Sequence, residues 1–347
     1  MNKEIKKLVT HDGSFHTDDV FACATLAFYL EKKGESYEII RTRDEEKIKA
    51  GDYVFDVGGI YDEEKNRFDH HQTGGAGRRV PSGSEGGSIV GEPGIEYSSF
   101  GLVWKKFGSE ICGSEKGSKI IEKKLVLPVD AWDNGFDLVS NKYKEISPYF
   151  LQHIFLGMEP TWREVDLNVG EMFLKSVVIA KEILSREIIQ TQDALLAEEL
   201  VISFYKNSLD KRIIVLDKDY PFQYILNNFP EPLFVIYPRK TNNWWGVKAV
   251  REDPKTFKNR KDFPISWAGL SEQELQKIIA GAMSQLIFVL LLPLINLESL
   301  SPQNCAARAC GLYFFQQVEI FLKIYLHLFV GEQPQKAWLL QKFFAPL

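Results

Sequence analysis

Four short segments rich in aspartate and histidine constrain this chain more than any other feature. They are "HDGSFHTDD" (His11 to Asp19), "FDVGG" (Phe55 to Gly59), "FDHH" (Phe68 to His71) and "LVLPVDAWDNG" (Leu125 to Gly135). Each begins with or contains a ligand-type residue next to a predicted strand end. Leu8 and Val9 end a first strand that runs into the polar loop "THDGSFHT", "SYEIIRT" (Ser36 to Thr42) reads as a second, and "DYVFDVGG" (Asp52 to Gly59) as a third closed by Gly-Gly. Thr17 caps a helix with Asp18 and Asp19 in its first turn and Val20, Phe21, Ala24, Ala27 and Phe28 at helical spacing. Strands alternating with helices predict an α/β fold with a mainly parallel sheet, and such sheets gather their sites at the carboxyl ends of the strands.

The rest of the chain extends this plan. "TGGAGRRVPSGSEGGSIVGEPG" (Thr73 to Gly94) is a Gly/Ser/Pro-rich loop, either a solvated insertion or a lid that grips phosphate through Arg78 and Arg79. "SSFGLVWKKFG" (Ser98 to Gly108) has the pattern of an amphipathic helix with a glycine stop. A long helical segment over 167–200 leads to a smaller α/β second domain with strands at "RIIVLD", "LFVIYP" and "WWGVKAV". Two apolar runs near the end, 286–295 and 320–329, are each shorter than the roughly 18 residues of a membrane helix. No membrane partner is expected.

Carboxylates and imidazoles collected at strand ends form a shell suited to a pair of divalent metals. Carboxylates carry charge and can bridge ions, and neutral histidine nitrogens suit Mn, Fe, Co or Zn better than Mg. Two ions about 3.5–4 Å apart can activate a water and stabilise both oxygens of a phosphoryl displacement. Of the six histidines, four (His11, His16, His70 and His71) fall in these segments. Each member also has a plainer reading. Asp56 could be a turn residue, Asp12 and Asp19 could support the loop or the helix N-terminus, and Asp133 with Asn134-Gly135 could be only a turn. Asp69 could orient an imidazole rather than bind metal.

The order "HDGSFHTDD … FDVGG … FDHH … VDAWDNG" resembles the DHH phosphoesterase superfamily and, more closely, the melanocyte-proliferating-gene family of DHH-like exonucleases. "GIEYSSFGLVWKKFG" and "NRKDFPISWAGLSEQEL" (Asn259 to Leu275) extend the resemblance from residue 7 to about 285. It implies a DHH-type catalytic domain over 1–166, a helical connector over 167–205 and a smaller substrate-binding domain over 206–289. It also implies a metal-dependent phosphodiesterase that trims RNA from the 3′ end. Carried over residue by residue, His11, His16 and Asp18 match the first metal motif, where the wider superfamily commonly has Asp in place of His16. Asp56 matches the second, His70 the metal member of the signature pair, and Asp130 the fourth. His71 matches a catalytic position facing phosphate. The implied cofactor is two divalent ions, Mn first, with Mg, Co or Fe as alternatives. On the substrate side Arg260 and Lys261 are the expected phosphate contacts. Arg239, Lys240, Trp244 and Trp245 are further basic or stacking candidates.

The pattern departs from the family at two places. The Gly-rich insertion is long, and after "ELQKIIAGAMSQLIFV" the chain enters "LLLPLINLESLSPQNCAARACGLYFFQQ". Residues 290–347 therefore read as an atypical tail, of the kind an unspliced intron or a frameshift would encode. A net charge of -5 excludes coating of nucleic acid by bulk charge but not a nuclease with a local metal or basic groove. It keeps open a small-molecule phosphatase acting on pyrophosphate, short oligonucleotides or cyclic dinucleotides. An inactive metal-binding scaffold is the third reading. Four cysteines without a C-x-x-C pair, and an N-terminus without an apolar signal core, point to the cytoplasm or nucleus.

Overall fold

The computed structural model describes residues 4–79, 94–239, 245–271 and 274. Residues 80–93 of the Gly-rich stretch, Lys240, Trp244, the two C-terminal apolar runs and the 290–347 tail lie outside them. The chain divides into two compact units, Met1–Leu200 and Val201–Leu347. No helix among the described residues is long and apolar enough to cross a membrane.

The first unit opens with strand β1 (Lys6–Thr10), helix α1 (Thr17–Lys33), strand β2 (Tyr37–Arg41), the short helix α2 (Glu45–Lys49) and strand β3 (Tyr53–Phe55). Strands β4 (Tyr61–Asp62) and β5 (Arg67–Phe68) complete a five-stranded sheet in the order β2-β1-β3-β5-β4. All neighbours are parallel except β4, which is antiparallel to β5. Successive strand residues face opposite sides. Val9 and Val54 therefore pack with Val57, Ile40 and Ile48 on the α2 side, whereas Leu8, Phe55 and Phe68 join the main core.

That core is built on α1 and on α3 (Ser99–Cys112), which follows the small ladder of β6 (Arg78–Arg79) with β7 (Ile95–Glu96). Phe21 of α1 stacks on Phe100 of α3 at 5.1 Å. α1 stops at Gly34, whose φ of 69° costs a glycine little. Gly108 does not stop α3 as its position suggested. The helix runs on to Gly113, and a Cβ on Gly108 would lie 2.6 Å from Ser118 Oγ, so the glycine serves close helix packing instead.

α4 (Glu115–Ile121), a π-helical turn (Glu122–Val126) and α5 (Leu127–Asp133) form one helical run. The fourth aspartate-rich segment thus lies on a helix, not at a strand end. Pro128 in the first turn of α5 has no N–H to give to the carbonyl four residues back, and the ladder widens just before it. α6 (Leu151–Leu156) and α7 (Val169–Asn207) follow. Phe173, Val177, Ala180, Leu184 and Ile188 of α7 are buried in the first unit's core, so its first half is packed structure as well as a connection.

The second unit contains β8 (Ile213–Val215), α8 (Gln223–Leu226), β9 (Phe234–Pro238) and β10 (Trp245–Ala249). β9 is central, parallel to β8 and antiparallel to β10. Val201, Ile214, Leu216, Phe222, Leu226 and Val235 are buried on one face. Ile213, Phe234 and Ile236 face the other. The α/β architecture, with a mainly parallel sheet flanked by helices, is the one the sequence predicted.

Candidate metal centre

The carboxyl ends of β1, β3 and β5 deliver the first three clusters to one place. His11 follows β1 directly, and its Nδ1 lies 3.0 Å from the Asp12 carbonyl. Donation there leaves Nε2 as the inward-facing atom, a proton donor to the carboxylates that would become a lone pair toward a metal. That atom is 3.1 Å from Asp56 Oδ2 and 3.2 Å from Asp19 Oδ2. His16 precedes α1 and donates its N–H to Asp19 Oδ1 at 2.9 Å, which fixes the first turn that carries Asp18. Asp56 ends β3 with φ at 54°, a left-handed conformation that aspartate tolerates better than most residues. The Asp56 N–H donates to the Phe68 carbonyl at 3.3 Å, and the Ser99 hydroxyl donates to Asp56 Oδ1 at 3.2 Å.

Three overlapping ligand groups result: His11, His16 and Asp56; Asp56, His70 and His71; and His16, Asp18 and Asp133. Within each group the nearest ligand atoms lie within 4.8 Å of one another. Asp56 and His16 each belong to two of them. His70 Nε2 faces Asp56 Oδ1 at 3.3 Å, Asp133 Oδ2 at 3.3 Å and Asp18 Oδ2 at 3.8 Å. Yet both Asp18 oxygens, Asp19 Oδ2 and His70 Nε2 are buried without a hydrogen-bond partner. Buried polar atoms are nearly always satisfied, and such atoms converging on one point fit a cation-binding site. The donor set, imidazole with carboxylate, fits divalent transition metals.

Without cations, protons carry the compensating charge. Burial together with Asp56 and Asp133 pushes the Asp18 carboxyl well above the usual range. Burial also raises Asp19 and Asp133. Burial alone would lower His11, but the neighbouring carboxylates of Asp19 and Asp56 push it up to about 10. Against the same burial, His11 and His70 hold Asp56 below the ordinary carboxylate range. A metal entering such a site replaces those protons.

The signature pair divides its work. Asp69 accepts from the Gly59 N–H at 2.5 Å, from the His71 N–H at 3.1 Å and from His71 Nδ1 at 2.8 Å. It pins the imidazole and the Gly-Gly turn together. The side chain of His71 is 62% exposed, so Nε2 opens to solvent at the edge of the cluster. Hydrogen bonding to Asp69 raises the pKa of His71 and favours an imidazolium there.

Asp130 is not brought to the cluster. It is fully buried, and its Oδ1 accepts from the Ser98 hydroxyl at 2.5 Å and the Gly101 N–H at 3.1 Å. Its Oδ2 pairs with the Arg79 guanidinium. The fourth-segment carboxylate that does reach the cluster is Asp133, which sequence reasoning treated as a possible turn. Asp19 was likewise weighed only as support for the helix start. Arg78 pairs with Glu96, and Arg79 with Asp130, so each guanidinium of the Gly-rich loop already has a carboxylate partner.

In the second unit Arg260 donates to the carbonyls of Phe229 at 2.6 Å, Pro232 at 3.1 Å and Asn227 at 3.2 Å. These bonds tie three backbone segments and leave little of the guanidinium for phosphate. Lys261 and Arg239 are exposed.

The chain matches the MYG1_exonuc family, described as an uncharacterised protein family (UPF0160), over residues 7–290. It is 28% identical to the MYG1 exonuclease of Rattus norvegicus, over 78% of this chain and 76% of that one. The figures for the Homo sapiens MYG1 exonuclease are 28%, 78% and 77%. For the MYG1 protein of Chlamydia trachomatis they are 27%, 77% and 83%. Among solved structures, exonuclease RecJ bound to manganese overlaps 67% of this chain and 75% of its own at 13% identity, with a TM-score of 0.22. The family match covers most of the chain and every aspartate and histidine of the cluster, and the chain belongs to the MYG1 exonuclease family.

Proposed function

We propose that this protein is a metal-dependent phosphodiesterase that trims RNA from its 3′ end with two divalent ions. Membership in an exonuclease family supports hydrolysis of nucleic-acid phosphodiesters. The observation that carries the metal is the convergence of buried, unpartnered Asp18, Asp19 and His70 atoms around Asp56, which two ligand groups share. His11, His16, Asp18, Asp56, His70 and Asp133 would hold the ions. Their imidazoles favour Mn, Fe or Co over Mg. When bound, such ions supply Lewis acidity, an activated water and charge to offset the leaving oxygen.

The chain's own residues do the rest. Asp56, locked by Ser99 and the Phe68 carbonyl, keeps a carboxylate at the centre without reorganisation. His71, oriented by Asp69, which accepts from its Nδ1, presents Nε2 to a non-bridging phosphate oxygen and holds that oxygen as charge develops. Among the described residues Cys23 and Cys112 are buried free thiols, which supports a reducing compartment, cytoplasm or nucleus.

A second reading, a small-molecule phosphatase, is favoured by the net charge of -5 and by the internal pairing of Arg78, Arg79 and Arg260. Incubating 5′-labelled RNA, the matching DNA, pyrophosphate and dinucleotides with Mn separates the two. Stepwise shortening of RNA with retention of the 5′ label supports the exonuclease, and turnover confined to the small substrates supports the phosphatase.

A further inference from the structure

Trp132 stands immediately before Asp133 on α5, so its backbone adjoins that of the aspartate that faces His70 while its indole leaves the helix about 100° around the axis, on the neighbouring face. Its neighbours Val129 and Ala131 are buried, but Trp132 itself is 42% exposed. Three rings from the start of α6 complete an aromatic set. His153 meets the indole edge-on at 5.1 Å, Phe150 lies 5.7 Å from it, and Tyr149 lies 5.1 Å from His153. The set is fixed from within. The Phe150 N–H donates to His153 Nδ1 at 2.9 Å, and the Tyr149 hydroxyl donates to the His153 carbonyl at 2.9 Å. A cluster that only covered α6 would hide its large rings, yet Tyr149 is 75% exposed.

The geometry points to a nucleobase-stacking subsite. Trp132 and Tyr149, braced by His153 and Phe150, take the unpaired base of a single-stranded nucleic acid whose phosphodiester lies at the neighbouring Asp133 and His71. This rests on the nuclease reading and adds to it the residues that grip an unpaired base. Every base has a π face, so stacking grips successive nucleotides without reading their identity, as a trimming enzyme must. It also supplies affinity that a chain of negative net charge cannot draw from bulk electrostatics.

The test is fluorescence anisotropy of a 5′-labelled single-stranded oligomer, with calcium replacing the catalytic metal, against an oligomer whose 3′-terminal nucleotides are abasic. Wild-type protein should prefer the base-bearing oligomer. Trp132→Ala should weaken that binding roughly 5- to 150-fold, Trp132→Phe should restore most of it, and Tyr149→Leu should weaken it in the same direction. Equal wild-type affinity for the two oligomers would overturn the subsite. So would unchanged binding by folded Trp132→Ala, parallel losses on both oligomers, or self-association that Trp132→Ala abolishes. Hydrolysis of the base-bearing oligomer under Mn is followed alongside. Wild-type protein without turnover contradicts the nuclease reading, whereas turnover with base-blind binding contradicts the stacking subsite alone.

Discussion

His70 Nε2 and Asp133 Oδ2 face each other at 3.3 Å, although His70 Nε2 has no hydrogen-bond partner. Two groups held this close without a bond between them are the basis for proposing Asp133 as the fourth-segment ligand. Asp133→Asn should lower Mn affinity at least about 10-fold, the scale seen when groups around a metal are removed. Thermal unfolding of the metal-free variant should not worsen, because burial and Asp56 already disfavour its charge. Metal titration with a fluorescent indicator checks both.

Asp130→Ala should behave in the opposite way. It leaves the Arg79 guanidinium, 12% exposed, with only Glu122 and the Tyr97 ring, and leaves the Ser98 hydroxyl and Gly101 N–H unsatisfied. A loss of about 3 kcal/mol is expected in urea unfolding of the metal-free protein. Wild-type stability of this variant would contradict the anchoring role.

Gly101→Ala tests the same pocket from the other side. In an exposed helix interior the change gains up to about 1 kcal/mol. Here the new Cβ would lie 2.1 Å from Asp130 Oδ2, so the substitution should destabilise and expel the carboxylate. The urea midpoint should fall rather than rise.

These aspartates also show what the sequence made legible. His11 and Asp56 each follow directly a strand that the apolar pattern showed, whereas His70 and His71 follow the two-residue β5, too short to leave a pattern, and came from the Asp-His-His motif itself. His16 and Asp18 came with them because α1 starts there. The choice between Asp130 and Asp133 was not legible. It depends on helical phase after a π turn and on Arg79, which lies 51 residues away in sequence. Gly108 misled for a related reason, because a glycine at a helix–helix contact looks the same in sequence as one that ends a helix.

Stability of the metal-free protein should depend on pH through the same cluster. His11 has its folded pKa raised from 6.5 to about 10, so its contribution is full below 6.5 and lost as pH rises toward 10. Asp18, Asp19 and Asp133 are also raised, and their protonated forms are lost in the same direction above the ordinary value of 3.8. Asp56 and Asp69 are lowered, so their contribution is present above 3.8 and disappears in acid. In EDTA the melting temperature should therefore fall between about pH 6.5 and pH 9, and the rise on adding Mn should grow across that window. A metal-induced shift independent of pH would contradict the proton-for-metal exchange.

Arg260→Ala should act on stability. Removing three charge-assisted bonds to the Phe229, Pro232 and Asn227 carbonyls should cost about 2 kcal/mol in the second unit. Protease sensitivity of the region after Val201 should rise accordingly, and an unchanged digestion rate would count against it.

Calorimetric titration of Mn into wild-type protein and Asp56→Asn tests the central claim most directly. Asparagine keeps the size of the side chain and tolerates the left-handed backbone at φ 54°. Asp56 is shared by two of the three ligand groups, so the account predicts two tight sites in the wild type and at least one of them lost in the variant, which still folds without metal. Tight binding retained at both sites in Asp56→Asn would contradict it.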